Sequence, residues 1–282
     1  MKKLNPLVLF LILILLAIVF GPLIIPFPPL EGIKPLEELV YPDSQFMDVN
    51  GVDVHFEEIQ NDNETLIVLL HGFGSSTYSW HKVMEPISAY GFVLAYDRPA
   101  FGLTERVIPY KDVENNPYVL SYQPQILLEL IESKPIKKII LVGNSAGGTV
   151  ALQTALDYPE LIDGLILVSP AVYGDAGAPK WIKPILSLPQ MDRLGPVFVR
   201  TIRERGLELL KIAWSDPEKI SEDDLFNYQK PLSIDRWDVG LWEFTKANAE
   251  NNLADHVAEI KIPVLVRSEE RRVGKECRSR GS

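Results

Sequence analysis

Residues 138–158 leave the fold little freedom. The apolar run Ile139-Ile140-Leu141-Val142 enters Gly143-Asn144-Ser145-Ala146-Gly147 with no spacer, and the small-residue stretch Gly148-Thr149-Val150-Ala151 leads out of it. Four apolar residues in succession suit a strand buried on both faces, and such strands belong to parallel sheets. A helix that begins within five residues of such a strand requires a sharp reversal. Glycines on either side of Ser145 permit one by removing side chains that would collide. The spacing predicts strand, turn and helix in immediate succession, with the helix over 145–158 and Pro159 as its stop. The same five residues fit G-x-S-x-G, in which a serine hydroxyl stands exposed at the top of a sheet as a nucleophile. The plainer alternative is a glycine-rich turn with Ser145 as an ordinary helix N-cap.

The rest of the chain repeats the strand–helix alternation. Residues 52–57 alternate at period two after a turn at Asn50-Gly51, while 65–71, 92–97, 165–169 and 262–266 are short apolar runs. Helical patterns fall at 78–90 and 124–132. Strands alternating with helices predict an α/β fold, with a mostly parallel sheet covered on both faces. Between 170 and 261 the pattern changes to helix-like stretches holding Trp181, Trp214, Trp237 and Trp242, four of the five tryptophans. An excursion of this length between two strands is too long for a simple crossover. Residues 171–260 therefore read as a helical lid inserted into a sheet domain spanning 46–266. Its tryptophans either line an apolar pocket or pack the lid onto the sheet.

Both ends differ from this domain. Residues 4–30 carry no charge, 7–20 are unbroken apolar, and Lys2 and Lys3 precede them. With its extension to Ile25 the run is about 20 residues, enough to cross ~30 Å of hydrocarbon. No small-x-small cleavage site follows it. Residues 1–30 read as a single-pass anchor in the cell membrane with the domain extracytoplasmic; the alternative is a signal peptide whose cleavage releases a secreted protein. The prolines from Pro22 to Pro35 make the following stretch a stiff spacer. At the other end, RSEERRVGKECRSRGS (267–282) resembles the translation of a sequencing adapter. It is expected to be a non-native tail that replaces the true C-terminus. The tail holds Cys277, the only cysteine, and a net charge of +3, leaving −13 for residues 1–266. That balance argues against a nucleic-acid partner, and the missing cysteines exclude a thiolate metal site or thiol nucleophile in the domain.

The turn His71-Gly72-Phe73-Gly74 closes the strand over 65–71. In an acyl-transfer enzyme it would offer the Phe73 N–H to an oxyanion, with the Ala146 N–H as second donor. A rival use is dinucleotide binding by a reductase, with Asp97 as the ribose-binding acid, although Thr77 stands where a third glycine is needed.

Taken together, LIVLLHGFGSSTYSW, LAYDRPAFGLTE, IILVGNSAGGTVAL and LILVSPAVYG resemble the α/β-hydrolase superfamily, in its order and spacing, over about 46–266. The closest branch is the lid-bearing one of serine esterases, lipases, carbon–carbon bond hydrolases, haloperoxidases and epoxide hydrolases. The resemblance implies an eight-stranded sheet, a Ser-Asp-His triad in that chain order and no metal or cofactor. Ser145 would be the nucleophile and Phe73 and Ala146 the oxyanion donors, acting on a small, apolar carbonyl substrate. Epoxide hydrolases and haloalkane dehalogenases carry an aspartate where this chain has Ser145. The triad acid and histidine would both lie beyond Val266, so the last strand and helix are expected to be missing and the chain as it stands inactive. His55, His71, His81 and His256 read as structural, Asp175 is an alternative acid, and Asp97 is expected to pin its loop by pairing with Arg98. A non-catalytic binding protein of the same fold is the alternative.

Overall fold

The computed structural model describes residues 5–26, 28–107, 116–132, 134–172, 180–214, 216–247 and 252–268. An apolar helix, α1 (Pro6–Ile24), comes first, followed by the strands β1 (Gln45–Val49), β2 (Val52–Ile59) and β3 (Thr65–Leu70). Helices and strands then alternate through α2 (His81–Ser88), β4 (Phe92–Tyr96), α3 (Gln123–Ile131), β5 (Lys138–Asn144), α4 (Ala146–Asp157) and β6 (Gly164–Val168). Five helices follow among the described residues: α5 (Lys183–Leu186), α6 (Pro189–Ala213), α7 (Glu222–Gln229), α8 (Trp237–Ala247) and α9 (Leu253–His256). The strand β7 (Val264–Arg267) ends the described chain.

The strands form one sheet in the order β1-β2-β4-β3-β5-β6-β7. β1 and β2 run antiparallel to each other, as do β2 and β4, and every other pair is parallel. Period-two alternation divides the core. Leu66, Val68, Leu70, Leu94 and Tyr96 face α3 and α4, while Ile67, Leu69, Val93 and Ala95 face Met84 of α2. β1 is not visible in the sequence pattern; it pairs with β2 across Asn50 and Gly51, whose φ values of 55° and 82° suit a two-residue hairpin turn. The pattern over 78–90 becomes a 3₁₀ turn (Thr77–Trp80) followed by α2, which runs through Pro86 to Ser88.

The helices between β6 and β7 build a second core of Val199, Ile234, Trp237, Leu241 and Trp242. Ala100, Phe101 and Leu103, from the segment after β4, enter the same cluster, as does Leu39. The insertion is therefore fused to the ends of the sheet by shared apolar surface. Seven strands are described where the family resemblance implies eight. β7 is the edge, with Val264, Leu265 and Val266 exposed. It continues one residue past the boundary expected at Val266, since the Ser169 N–H donates to Arg267 O at 2.8 Å. Residues 269–282, including Cys277, lie outside the described residues.

Two contacts at the carboxyl ends of the strands generate predictions. A Cβ added to Gly147 would lie 2.0 Å from Leu70 O, so α4 touches the backbone of β3 directly. Gly147→Ala is expected to destabilise the fold by about 3 kcal/mol in urea unfolding, because no backbone can retreat by the distance required. His71 is wholly buried; its Nδ1–H donates to Gly72 O (2.7 Å) and its Nε2 accepts the Arg98 N–H (3.0 Å). Burial, and then the Arg98 charge, lower its pKa from 6.5 to about 3. The unfolded chain therefore binds the extra proton, and the stability this group contributes is complete above pH 6.5 and lost on acidification toward pH 3. His71→Asn should remove a pH dependence of about 1.4 kcal/mol per pH unit from the unfolding free energy in that range.

Candidate active site

Ser145 stands between β5 and α4 with φ 50° and ψ −117°, a left-handed conformation rare outside glycine. Its backbone is held from several sides. The Ser145 N–H donates to Val168 O, and Ser145 O accepts from Gly148 and Ala171, each at 3.0 Å. A side chain at Gly143 would come within 2.5 Å of the Gly148 Cα, so the turn closes only over glycine. The serine hydroxyl makes no capping bond to α4. That distinguishes it from an ordinary N-cap, whose oxygen accepts from the first turn.

The turn after β3 lies against it. A Cβ built on Gly72 would be 3.4 Å from Ser145 Cβ and 3.0 Å from Asn144 Oδ1. Gly72 O is fixed by His71 Nδ1 and by the Arg98 guanidinium at 3.3 Å. Among the described residues, neither the Phe73 nor the Ala146 N–H donates a hydrogen bond. Ala146 also opens α4, where the helix dipole favours negative charge. An anion forming on a carbonyl bound at Ser145 would thus meet unengaged donors.

Above the serine lies a cavity of about 520 Å³. Its floor includes Gly72, Phe73, Asn144 and Ser145, and α6 and α8 of the insertion supply much of its roof. Phe73, Phe101 and Phe244 form an aromatic cluster beside it, with ring centroids 4.9–6.0 Å apart. The four insertion tryptophans divide by role. Trp214 and Trp237 line the cavity, Trp242 packs over Gly195, and Trp181 is 74% exposed. Arg106, which sequence reasoning passed over, also lines the cavity and is buried. Its guanidinium donates to the carbonyls of Gly102 and Thr104, and burial lowers its pKa to about 10. No local pattern marks an arginine whose partners are loop carbonyls.

No histidine lines the cavity. His55 is buried between Asp97 (Nδ1 to Oδ2, 2.6 Å) and Ser44 (Nε2 to Oγ, 2.8 Å). This Ser–His–Asp relay lies away from the cavity, which none of the three residues lines. His81 stacks on Tyr78, and His256 pairs with Glu259 at the surface. Asp97 does not pair with Arg98 as expected. Its carboxylate takes His55 and the N–H groups of Thr77 and Leu103 (both 2.7 Å), while Arg98 turns to Gly72 and the Phe101 ring. Burial pushes the Asp97 pKa up, but His55 and these donors bring it below the ordinary value. A carboxylate so enclosed has no free face for a ribose, which weighs against the dinucleotide alternative. Asp175 lies outside the described residues.

A sequence model described as the alpha/beta hydrolase fold matches residues 65–216, more than half of the chain. The uncharacterized hydrolase YugF of Bacillus subtilis is 32% identical over 138 residues, covering 48% of this chain and 47% of its own. The AB hydrolase superfamily protein YfhM of the same organism is 27% identical over 229 residues, 78% of each chain. Among solved structures, Cfl2 of Burkholderia cenocepacia superposes with a TM-score of 0.62 at 21% identity, covering 80% of this chain and 87% of that one. A bromoperoxidase from Bacillus anthracis gives 0.59 at 18% identity, with 80% of each chain covered. The chain spans about half the length, or less, of several of the curated relatives it matches. The matched family model, the mostly parallel sheet and the turn between β5 and α4 agree: this chain belongs to the α/β-hydrolase fold family.

Proposed function

We propose that the protein is a membrane-anchored serine hydrolase that cleaves an ester or similar carbonyl substrate through an acyl-enzyme. The observation that carries this reading is Ser145 itself: strained, uncapped and facing the cavity floor beside two unengaged amides. Its Oγ would attack the carbonyl carbon as its proton passes to a base. The oxyanion would sit between the N–H groups of Phe73 and Ala146 until the leaving group departs, and water would then release the acyl group. Serine rather than aspartate at this position favours acyl transfer over the epoxide opening named for one relative, epoxide hydrolase 1 of Caenorhabditis elegans. Aromatic and aliphatic side chains around the cavity suit an apolar acyl group, with the helical insertion acting as its lid.

Among the described residues, neither the base nor the acid that would orient it has a candidate in the cavity. In the family's chain order the triad acid and histidine follow Val266, and we assign both to sequence beyond that point. On this reading the 282-residue chain alone is slower than a complete enzyme by on the order of 10⁴–10⁶ in turnover. The same vacancy favours a second reading, a non-catalytic binding protein that uses the cavity without chemistry.

The anchor is assigned to α1. It has 19 residues, a mean hydropathy of 3.2 in its most apolar window and no buried residue. At 1.5 Å per residue it measures about 28 Å, matching a hydrocarbon core of about 30 Å. Lys2 and Lys3 would remain cytoplasmic and the hydrolase domain would lie outside.

Two experiments test these assignments. A protein with the family's acid and histidine restored after Val266 should react with a fluorophosphonate and hydrolyse p-nitrophenyl esters. Ser145→Ala should abolish the labelling and lower turnover by at least 10⁴. Labelling that survives the substitution would move the nucleophile elsewhere, and no labelling of the restored protein would favour the binding reading. Expressed in a bacterium, the chain should stay in the membrane fraction through carbonate extraction. Recovery of a soluble form shortened by about 25–30 residues would instead identify a cleaved signal.

A further inference from the structure

α6 runs in step with the chain that leaves α1. Gln190 donates to Val19 O at 3.0 Å, and Arg193 donates to the carbonyls of Leu23 and Ile25. Arg200 reaches Pro28 O at 2.7 Å and Arg203 reaches Glu31 O at 2.5 Å. Both sequences rise in the same direction, so the two segments lie parallel. Arg200 is fixed in turn by Asp238 of α8 at 2.8 Å, and Leu30 and Ile33 pack against the insertion's own core. The insertion is thus joined to the exit from α1 by a row of charged donors on backbone carbonyls and by apolar contact.

α5 and the turn after it immediately precede Gln190, so they lie within a few residues of the contact between α6 and the apolar helix. This part of the insertion is apolar, and although Leu186 packs into the second core, several of its large side chains are exposed. Trp181, Ile185 and Leu188 are 74%, 48% and 46% exposed. Lys183 is the only charged side chain between Trp181 and Met191. Val19 lies six residues before Ile25, so Gln190 sits about 9 Å back along the helix from its exit. That matches the depth of about 5–10 Å to which interfacial apolar faces enter a bilayer.

We propose that residues 181–188 form a second membrane contact, entering the outer interface of the same bilayer that α1 crosses. The proposal rests on the reading of α1 as an anchor. The apolar side chains of Trp181, Ile185 and Leu188 would enter the interface, and Lys183 would extend its amine back to the phosphates. The cover of the cavity would then be held at the membrane surface at two points, through the arginine row and through this segment.

The test uses the full chain in phosphatidylcholine–phosphatidylglycerol vesicles. Single cysteines replacing Leu13, Leu188 or Tyr90, in a Cys277→Ser background, carry a nitroxide. Collisions with oxygen, which concentrates in acyl chains, are compared with collisions with a water-soluble nickel chelate. Oxygen should dominate at 13 and 188 and nickel at 90, a position 75% exposed in the wild-type chain. Oxygen access at 13 with nickel access at 188 overturns the proposal and leaves the anchor standing, whereas nickel access at both overturns the two together. A label at 188 shielded from both reagents would mean that protein, such as a second copy of the chain, covers the segment, which also overturns it. Independently, Trp181→Phe should remove at least half of the tryptophan quenching by brominated lipids. Unchanged quenching would place the segment outside the bilayer.

Discussion

A left-handed serine is costly, at about 1–3 kcal/mol for a residue with a Cβ, and it persists only where its surroundings over-determine it. Here the surroundings are backbone. Val168 O takes the Ser145 N–H, Gly148 and Ala171 donate to its carbonyl, and Leu70 O stands where a side chain on Gly147 would go. These partners belong to β3, to β6 and the segment after it, and to the helix that leaves the turn, so the conformation of this residue at the end of β5 depends on the register of β3, β5 and β6. The sheet order, the tight glycines and the position of the cavity follow from packing α4 against those strand ends.

Electrostatics around that point is handled by burial and internal hydrogen bonds rather than by exposed pairs. Asp97 is enclosed by an imidazole and two N–H groups, His71 is kept neutral, and the guanidiniums of Arg98 and Arg106 donate to carbonyls. Each group rigidifies a loop at the carboxyl end of a strand. None presents a free carboxylate or imidazole to the cavity, whose floor carries the Ser145 hydroxyl beside the Asn144 side chain.

What could be read from the sequence was what is local. The run from Ile139 to Gly147 specifies strand, turn and helix within a dozen residues, and the buried strands declare themselves by unbroken apolar runs. β1 did not, because Gln45–Val49 mixes polar and apolar residues and is a strand only by pairing with β2. The partner of Asp97 is hidden in the sequence for a related reason. Arg98 is adjacent in sequence, but adjacent residues on a strand end point apart, and His55 arrives from 42 positions away. Arg106 and the split roles of the insertion tryptophans depend on how α6 and α8 settle over the sheet, a matter of tertiary packing that no period records.

The arginine row along α6 addresses carbonyl oxygens, which are the same on every residue. What it recognises in the segment leaving α1 is therefore a backbone conformation and not a set of side chains. Pro26, Pro28 and Pro29 keep that backbone extended, with its carbonyls free of helical partners. Over evolutionary time the exit segment can accept drift in most of its side-chain identities, provided that its extension and spacing survive. Its relatives would preserve a proline-rich texture opposite a row of arginines more faithfully than any particular word of sequence.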